Sequence, residues 1–262
     1  MRPRPKLTIQ LKSAREIAAM REAGRLVAEL YQTLDSAVKP GVRLKELDEL
    51  AETLLRERGA EPLYKGYKGS QANHPPFPGV ICASVNNEIC HGFPNQRVLK
   101  EGDIVGIDVG LKYKGWCGDS CVTYGVGQVA PQTQRLLDVA RESLDVGIRA
   151  AQPGAFLGDI GRAINDYADK QHVSVVREWG GHGIGRVLHE PLAVLHVRQP
   201  HQGPELRPGM TFTIEPMVNL GKPDWVLLPD GWTVVTKDGS LSAQFEHSIA
   251  ITPHGPEILT LP

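Results

Sequence analysis

The sequence predicts an α/β protein built from two similar helix–helix–strand units that meet around one acidic site. The first observation is the order of the predicted elements, because two amphipathic helices followed by strands occur twice along the chain. The second is a set of local parallels between the halves, which pair residues 39–47 with 152–160, 99–108 with 206–215, and 118–124 with 245–251. The third is that acidic residues fall at equivalent places in these parallels. We therefore expect one duplicated α+β unit rather than two independent domains.

Length and charge limit the kind of protein that this chain can be. Its 262 residues carry 29 basic and 30 acidic side chains, for a formal net charge of −1. We expect one domain over residues 13–262, with halves of about 13–128 and 129–262, after an N-terminal extension over 1–12. The near-neutral charge argues against nucleic-acid or anionic-membrane binding, and no apolar stretch predicts a membrane helix or a secretory signal. We expect a cytoplasmic monomer.

The cysteines indicate reduced thiols rather than a disulfide framework or a structural zinc site. None of the four is spaced as C-x-x-C from another, and they lie at Cys82, Cys90, Cys117 and Cys121.

The first half begins with two predicted helices. Ser13 suits a helix N-cap, and apolar residues recur at helical spacing from there to about Ala37. A second amphipathic helix is expected from Leu44 to about Gly59, since glycine is common where helices end. Residues 63–78, rich in Gly, Pro, Tyr and Asn, predict a long loop.

Strand patterns follow, and then the order repeats. Strands are expected within residues 80–86, 103–113 and 115–127. A second pair of helices is expected over residues 132–151 and 157–170. Further strand-like stretches lie at 172–176, 210–218, 231–236 and 245–252, whereas polar Gly/Pro-rich stretches predict linking segments at 198–208 and 218–231.

Four acidic residues interrupt segments that otherwise have the composition of strands. Asp108 lies in IVGIDVG, Asp119 in the next predicted strand, Glu215 in TFTIEPM, and Glu246 in AQFEHSIAI. Asp is depleted in strands, and a buried unpaired carboxylate is costly enough that it normally becomes neutral or binds a cation. No Lys or Arg lies inside these strand cores. We therefore interpret the four carboxylates as one functional cluster.

The hairpin that joins the first two acids has two possible registers. If Lys112 pairs with Gly115, the two acids lie directly opposite each other. If Tyr113 pairs with Trp116, they become diagonal neighbours on one face. Either register places two carboxylates side by side, where their charges repel.

His182 adds a nitrogen ligand to this cluster. It lies in GGHGIG, where glycines permit tight turns and a close approach to a ligand. Four carboxylates and one imidazole suit two divalent cations, because four negative charges balance two doubly charged ions. Such an oxygen-rich set favours manganese, iron, cobalt, zinc or nickel over metals that prefer thiolates. Metal pairs about 3.5–4 Å apart assist hydrolysis in aminopeptidases and phosphatases.

Other catalytic motifs do not fit the sequence. It contains no phosphate-binding loop and no G-x-S-x-G elbow, and residues 189–191 do not begin an H-E-x-x-H motif. Cys90 and His91 could suggest a thiol nucleophile, but adjacent strand residues point to opposite faces, so we expect the pair to point apart.

Six segments together resemble the type I methionine aminopeptidases. They are CASVNNEICHGFP, GDIVGIDVG, GWCGDS, GGHGIGRVLHE, LRPGMTFTIEPM and DGWTVVTKDGSLSAQFEHSI. The resemblance extends from about residue 7 to the C-terminus. It implies the pita-bread fold, in which two pseudo-symmetric halves of a catalytic domain surround a dinuclear metal site. It also implies removal of initiator methionine from nascent chains at the ribosome, when the second residue is small and uncharged.

The resemblance also implies roles for individual residues. The family's metal ligands fall on the five residues already singled out, namely Asp108, Asp119, His182, Glu215 and Glu246. Its two substrate-contacting histidines fall on His91 and His189. By this resemblance Glu215 takes the proton of the attacking water, His189 stabilises the oxyanion, and His91 bonds the scissile amide.

The pocket for the methionine side chain departs from the family pattern. The family places aromatic residues on the loop before the 80–86 strand, and here only Phe77 fits that description within residues 73–77. Leu188 stands where many relatives carry Phe, whereas Trp232 is retained. We expect an apolar pocket formed by Phe77, Cys82, Leu188 and Trp232.

Five further histidines match no functional position of the family. We expect His247 to face away from the site, because it follows a ligand in a strand. The other four are expected on the surface, at His172, His196, His201 and His254.

Two other functions remain open. Xaa-Pro aminopeptidases are implied to share the fold, but they usually carry a separate N-terminal domain, for which there is no room before Ser13. A non-catalytic binding homologue is expected to have lost metal ligands, and all five are present here.

Overall fold

The computed structural model describes residues 8–69 and 75–262, and it contains both predicted pairs of helices. The helices run over Ala14–Asp35 (α1), Leu44–Arg58 (α2), Pro131–Ala150 (α3) and Leu157–Lys170 (α4). Ser13 caps α1 in a capping box with Glu16, and Gly59 ends α2 in the left-handed conformation. The predicted helix boundaries are confirmed to within about two residues.

The strands are more numerous than predicted. Within the described residues they are β1 (Glu61–Pro62), β2 (Cys82–Val85), β3 (Glu88–Cys90), β4 (Ile104–Tyr113), β5 (Trp116–Gly125), β6 (Ser174–Val175), β7 (Gly181–Gly183), β8 (Glu190–Val194), β9 (Thr211–Ile214), β10 (Met217–Asn219), β11 (Trp225–Leu227), β12 (Val234–Thr236), β13 (Ser242–Gln244), β14 (Glu246–Thr252) and β15 (Gly255–Ile258). The sequence analysis missed β1, β3, β7, β8, β11, β13 and β15, since such short strands carry too few residues to show alternation. The expectation of a linking segment at 218–231 is wrong where it includes β11.

The main sheet joins the two halves of the chain. Nine antiparallel strands form it, with the order β1-β4-β5-β14-β9-β7-β8, while β2 pairs with β4 and β15 with β14. Strand β5, from the β4–β5 hairpin of the first half, pairs with β14 of the second half, and Cys121 is opposite Glu246 there. Strand β14 in turn pairs with β9. Two three-stranded sheets, β13-β10-β6 and β11-β12-β3, complete the architecture. The predicted duplicated α/β organisation is confirmed.

The register of the β4–β5 hairpin decides between the two predicted alternatives. Tyr113 pairs with Trp116, so Asp108 is opposite Cys121 and Asp119 is opposite Gly110. The two acids are therefore diagonal neighbours on one face of the sheet.

Each helix pair covers one half of the sheet. One core cluster packs α1 and α2 against β4, with Leu30 and Ile107 fully buried. A second packs α3 and α4 against β9 and β14, with Phe212 and Ile249 fully buried. Val122 on β5 contacts both clusters. No helix in the described part of the chain is long and apolar enough to cross a bilayer.

Candidate metal centre

The four predicted acids lie on or directly beside four neighbouring strands. Asp108 belongs to β4, Asp119 to β5 and Glu246 to β14, and Glu215 follows the last residue of β9. Because these strands are adjacent in the order β4-β5-β14-β9, backbone pairing brings together acids that are distant in sequence. All four line one cavity, and Asp119, Glu215 and Glu246 are buried.

His182 reaches the same cavity from β7. Its Nε2 lies 3.4 Å from Asp119 Oδ2 and 3.8 Å from Glu215 Oε1. The glycines around it serve close packing between strands, whereas tight turns and a close approach to a ligand were predicted. Gly181 lies in a strand, and a Cβ there would collide with the carbonyl oxygen of Thr213 on β9. The missing side chain lets β7 approach β9 closely and places His182 beside the acids.

Crowding and burial change the proton affinities of these groups. Burial and the charge of Asp119 raise the pKa of both Asp108 and Glu246 well above the usual carboxyl value. Burial likewise raises the pKa of Glu215 to about 7. Burial favours neutral His182, but its hydrogen bond to Asp119 and the charge of Glu215 overcome this and raise its pKa to about 9. Without a cation, the cluster is an unfavourable concentration of negative charge.

The donor set fits a metal ion. Glu246 Oε1 is buried and forms no hydrogen bond with the described part of the chain. One ligand atom each from Asp119, His182 and Glu246 lies within 4.8 Å of the others. An unpaired oxygen among like charges is costly unless it binds a cation. These three residues are therefore a candidate metal-binding group.

Three hydrogen bonds orient Glu215. The Thr213 hydroxyl donates to Oε1 at 2.8 Å, and Gln244 Nε2 donates to Oε2 at 3.3 Å. The backbone N–H of Glu215 donates to His196 Nε2 at 3.1 Å. The expectation that His196 is a surface residue is wrong, because it is buried beneath the site, and burial lowers its pKa to about 3. It is neutral and therefore able to accept this bond.

His247 and three surface histidines lie where the sequence placed them. The Nδ1 of His247 is 2.8 Å from the Thr260 hydroxyl and the side chain does not line the cavity of the acids. Three further histidines are exposed, at His172, His201 and His254.

His189 lies next to His182. Their ring centroids are 4.2 Å apart, and His189 Nδ1 is 3.0 Å from the Tyr67 hydroxyl. Burial and the neighbouring His182 charge lower the pKa of His189 to about 4. The imidazole of His189 is therefore neutral near pH 7.

His91 lies just beyond β3 in a left-handed backbone conformation. Its ring is 5.5 Å from that of Trp179 and 6.1 Å from that of Trp232, and its Nδ1 is 3.7 Å from Cys90 Sγ. The expectation that Cys90 and His91 point apart is wrong, because the left-handed residue ends the alternation of the strand. Burial raises the pKa of the Cys90 thiol well above its usual value, which leaves it an inert thiol.

The predicted apolar residues share the cavity with the acids and histidines. The cavity has a volume of about 190 Å³, and its apolar lining includes Phe77, Cys82, Leu188 and Trp232. All four of these side chains are buried. Trp232 Nε1 donates to the carbonyl of Pro75, which ties the cavity to the loop before β2. Of the predicted pocket loop, residues 73 and 74 lie outside the described residues.

The sequence analysis missed four further residues that line the cavity, namely Tyr64, Tyr67, Trp179 and Met217. The Tyr64 hydroxyl contacts Asp108 and Asp119 directly. The tyrosine content of the 63–78 loop was the available signal for two of them, but only the fold shows that Tyr64 reaches the acids and that Tyr67 reaches His189.

Comparisons with known proteins show the family and the fold of the chain. Residues 18–253 match metallopeptidase family M24. The chain is 49% identical to methionine aminopeptidase 1 of Bacillus subtilis over 249 residues, covering 95% of this chain and 98% of that protein. A crystal structure of methionine aminopeptidase from Rickettsia prowazekii superimposes with a TM-score of 0.93 at 45% identity, covering 97% of this chain and all of that one. An Xaa-Pro dipeptidase from Bacillus anthracis, with a TM-score of 0.74 at 22% identity, shares the fold alone.

Proposed function

The chain belongs to metallopeptidase family M24, and on that premise we propose that it removes N-terminal methionine from chains whose second residue is small and uncharged. One observation carries the proposal: the acidic cluster and an apolar, aromatic-lined pocket occupy a single cavity. A pocket that holds a methionine side chain beside a hydrolytic centre selects the first peptide bond of the substrate. Activity as an aminopeptidase follows from that placement.

Two divalent ions complete the proposed site. Asp108, Asp119, His182, Glu215 and Glu246 would hold them, and manganese, iron, cobalt, zinc and nickel all suit this donor set. When bound, such a pair lowers the pKa of water and polarises a carbonyl group. The buried, unpaired Glu246 oxygen supports the assignment. The raised pKa values of Asp108 and Glu246 support it as well, because burial and the neighbouring carboxylates make ionisation costly where no cation is present.

Glu215 is the proposed general base. Thr213 and Gln244 hold its two oxygens, so the carboxylate is presented in one orientation within the cavity. Glu215 takes a proton from the attacking water and later passes a proton to the leaving amine.

His189 is the proposed donor to the oxyanion. We assign the Tyr67 hydroxyl, which lies 3.0 Å from His189 Nδ1, as the donor to that nitrogen. With Nδ1 accepting, the ring hydrogen of the neutral imidazole is on Nε2. This tautomer presents an N–H to the oxygen on which negative charge develops.

His91 and the apolar lining position the substrate. We assign His91 to a hydrogen bond with the scissile amide, since it projects into the cavity from beyond β3. The methionine side chain would pack among Phe77, Cys82, Leu188 and Trp232, where burial of its apolar surface favours binding. The ring of Phe77 is edge-on to that of Trp232, with centroids 5.4 Å apart.

The cellular setting is inferred from the substrate. An enzyme for initiator methionine acts on nascent chains, so we place it in the cytoplasm, acting at the ribosome as a monomer and without nucleic-acid or membrane specificity. We also propose residues 13–262 as a single catalytic domain, with halves near 13–128 and 129–262. Within the preceding segment, Lys12 is buried and forms an ion pair with Glu190, so that part of it packs on the catalytic body.

The alternatives are less well supported. The Xaa-Pro peptidases resemble this chain in fold alone, and the chain covers only 61% of the Bacillus anthracis protein. A non-catalytic binding protein would have no need for four converging carboxylates, which destabilise a fold that holds no cation.

Release of methionine from Met-Ala-Ser tests the proposal. The wild-type chain, reloaded with Mn²⁺ or Co²⁺ after chelation, should release free methionine, whereas the chelated chain should release none. An Xaa-Pro peptide whose first residue is not methionine should remain uncleaved. Asp108→Ala and Glu246→Ala should each abolish both activity and metal uptake, because each removes a proposed ligand. Near-normal turnover with full metal content in either variant would contradict the dinuclear assignment.

A further inference from the structure

Tyr64 contacts two of the proposed metal ligands at once. Its hydroxyl is 2.5 Å from Asp108 Oδ1 and 2.6 Å from Asp119 Oδ1, and the side chain is buried. The hydroxyl has a single proton and the two carboxylates compete for it, so it is held between them as a shared donor. Hydrogen bonds to ionised acceptors are among the strongest in proteins.

The fold builds a place for this ring. Tyr64 follows β1, which pairs with β4, and the N–H of Leu63 donates to the carbonyl of Gly110. Gly110 is opposite Asp119 in the hairpin, and a Cβ at position 110 would lie only 2.8 Å from Tyr64 Cε1. The missing side chain of Gly110 therefore leaves the space in which the ring lies over β4. The Phe77 ring packs edge-on against its other side, with centroids 6.3 Å apart.

We propose that Tyr64 is a positioning residue of the metal centre, whose hydroxyl holds Asp108 and Asp119 in the converging orientation that binds cations. Two carboxylates side by side on a hairpin repel, and without a shared donor their side chains would rotate apart before a cation arrives. The Tyr64 hydroxyl offsets part of this repulsion before a cation binds. The inference rests on the proposed function, because it assumes that these carboxylates bind metal.

Metal affinity of the chelated full-length chain tests this role. Tyr64→Phe keeps the ring and its packing but removes the hydroxyl, and Mn²⁺ should bind on the order of 10–100-fold more weakly by titration calorimetry, the range typical for groups that orient ligands. Tyr67→Phe is the matched control. It also removes one phenol hydroxyl from the same loop and cavity, but that hydroxyl contacts His189 rather than a carboxylate, so Mn²⁺ affinity should stay within twofold.

Further measurements separate positioning from loss of fold. The visible absorption of bound Co²⁺ reports ligand geometry, and it should change in Tyr64→Phe but remain unchanged in Tyr67→Phe. Gly110→Ala perturbs the same contact from the other side, by displacing the ring, and should also weaken Mn²⁺ binding. Affinity within twofold of wild type in Tyr64→Phe, or tighter binding, would overturn the inference.

Failure of the proposed function gives a different result. In that case the wild-type chain itself binds no Mn²⁺ and releases no methionine from Met-Ala-Ser. If the wild type does both and Tyr64→Phe binds Mn²⁺ equally well, only the role of Tyr64 is wrong.

Discussion

Replacing Glu215 with Gln should stabilise the metal-free protein while it destroys function. Burial raises the pKa of Glu215 from 4.5 to about 7 when no cation is present. Its ionisation therefore opposes folding. The penalty is absent below pH 4.5, grows as the pH rises from 4.5 to 7, and is complete above pH 7. Gln has nearly the same shape and no charge, so it avoids the penalty.

The magnitude follows from the pKa shift and the hydrogen bonds. A rise from 4.5 to about 7 corresponds to a penalty of about 3 kcal/mol at pH 8. A Gln at position 215 can still accept the hydrogen bond from Thr213 through its amide oxygen. Its NH₂ group then faces the NH₂ group of Gln244, so the hydrogen bond from Gln244 is lost, which costs about 1 kcal/mol. The net gain is about 2 kcal/mol at pH 8, which for a chain of this size raises Tm by roughly 4–8 °C. At pH 5.5 the smaller ionisation penalty that Gln avoids roughly equals the cost of the lost hydrogen bond, so the two proteins should be about equally stable.

Thermal unfolding in excess chelator measures this gain. Wild type and Glu215→Gln should differ at pH 8 and converge at pH 5.5, whereas Glu57→Gln, a control on the exposed surface of α2, should leave Tm unchanged at both. Adding Mn²⁺ should reverse the order, because wild type has the additional ligand. A metal-free Glu215→Gln that melts at or below the wild-type Tm at pH 8 would refute the electrostatic argument.

Three further predictions concern the rate, specificity and stability of the protein. His189→Ala should retain its metal ions but lower kcat by on the order of 10²–10³-fold, as expected for an oxyanion donor, and loss of metal would make His189 a ligand instead. Across a Met-Xaa-Ser series, Ala, Gly, Ser, Thr, Cys, Pro and Val should be accepted and Lys, Arg, Glu, Leu and Phe rejected. We expect His91, which lines the cavity, and the two rigid prolines before Phe77 to leave no room for a large second side chain. Equal methionine-release rates for Ala and Lys would count against this expectation. Asp48→Ala should lower the free energy of unfolding by about 3 kcal/mol in urea titrations, because its buried carboxylate accepts hydrogen bonds from two backbone N–H groups. Lys45→Ala, the control, removes only the ion pair with Asp48, and an equally large loss there would show that the ion pair alone matters.

Local patterns were enough to predict the four helices, the longer strands and the acids of the site. Helical periodicity with caps such as Ser13 and Gly59 depends on residues within a few turns, so the helices are readable from the sequence. An acid inside an apolar strand, as at Asp108, is anomalous in its own neighbourhood. The four acids singled out on this basis and His182 all line the same cavity.

Contacts between distant segments were not readable in this way. The glycines around His182 suggested turns, but they allow β7 to pack against β9, and His196 was placed on the surface although it lies beneath Glu215. Neither residue type distinguishes these roles locally, because Gly suits turns and close packing equally, and His is found both inside and outside proteins.

By itself, then, the sequence determined the duplicated helix pairs and the candidate site residues, which are the acids in the strands and the histidines of the motifs. The tertiary structure alone decided how they meet. It selected the hairpin register that makes Asp108 and Asp119 diagonal neighbours, ordered the strands as β4-β5-β14-β9, and brought Tyr64 over both carboxylates. The physical reason is that register and strand order are set by hydrogen bonds and packing between segments far apart in the chain, for which neighbouring residues carry no signal.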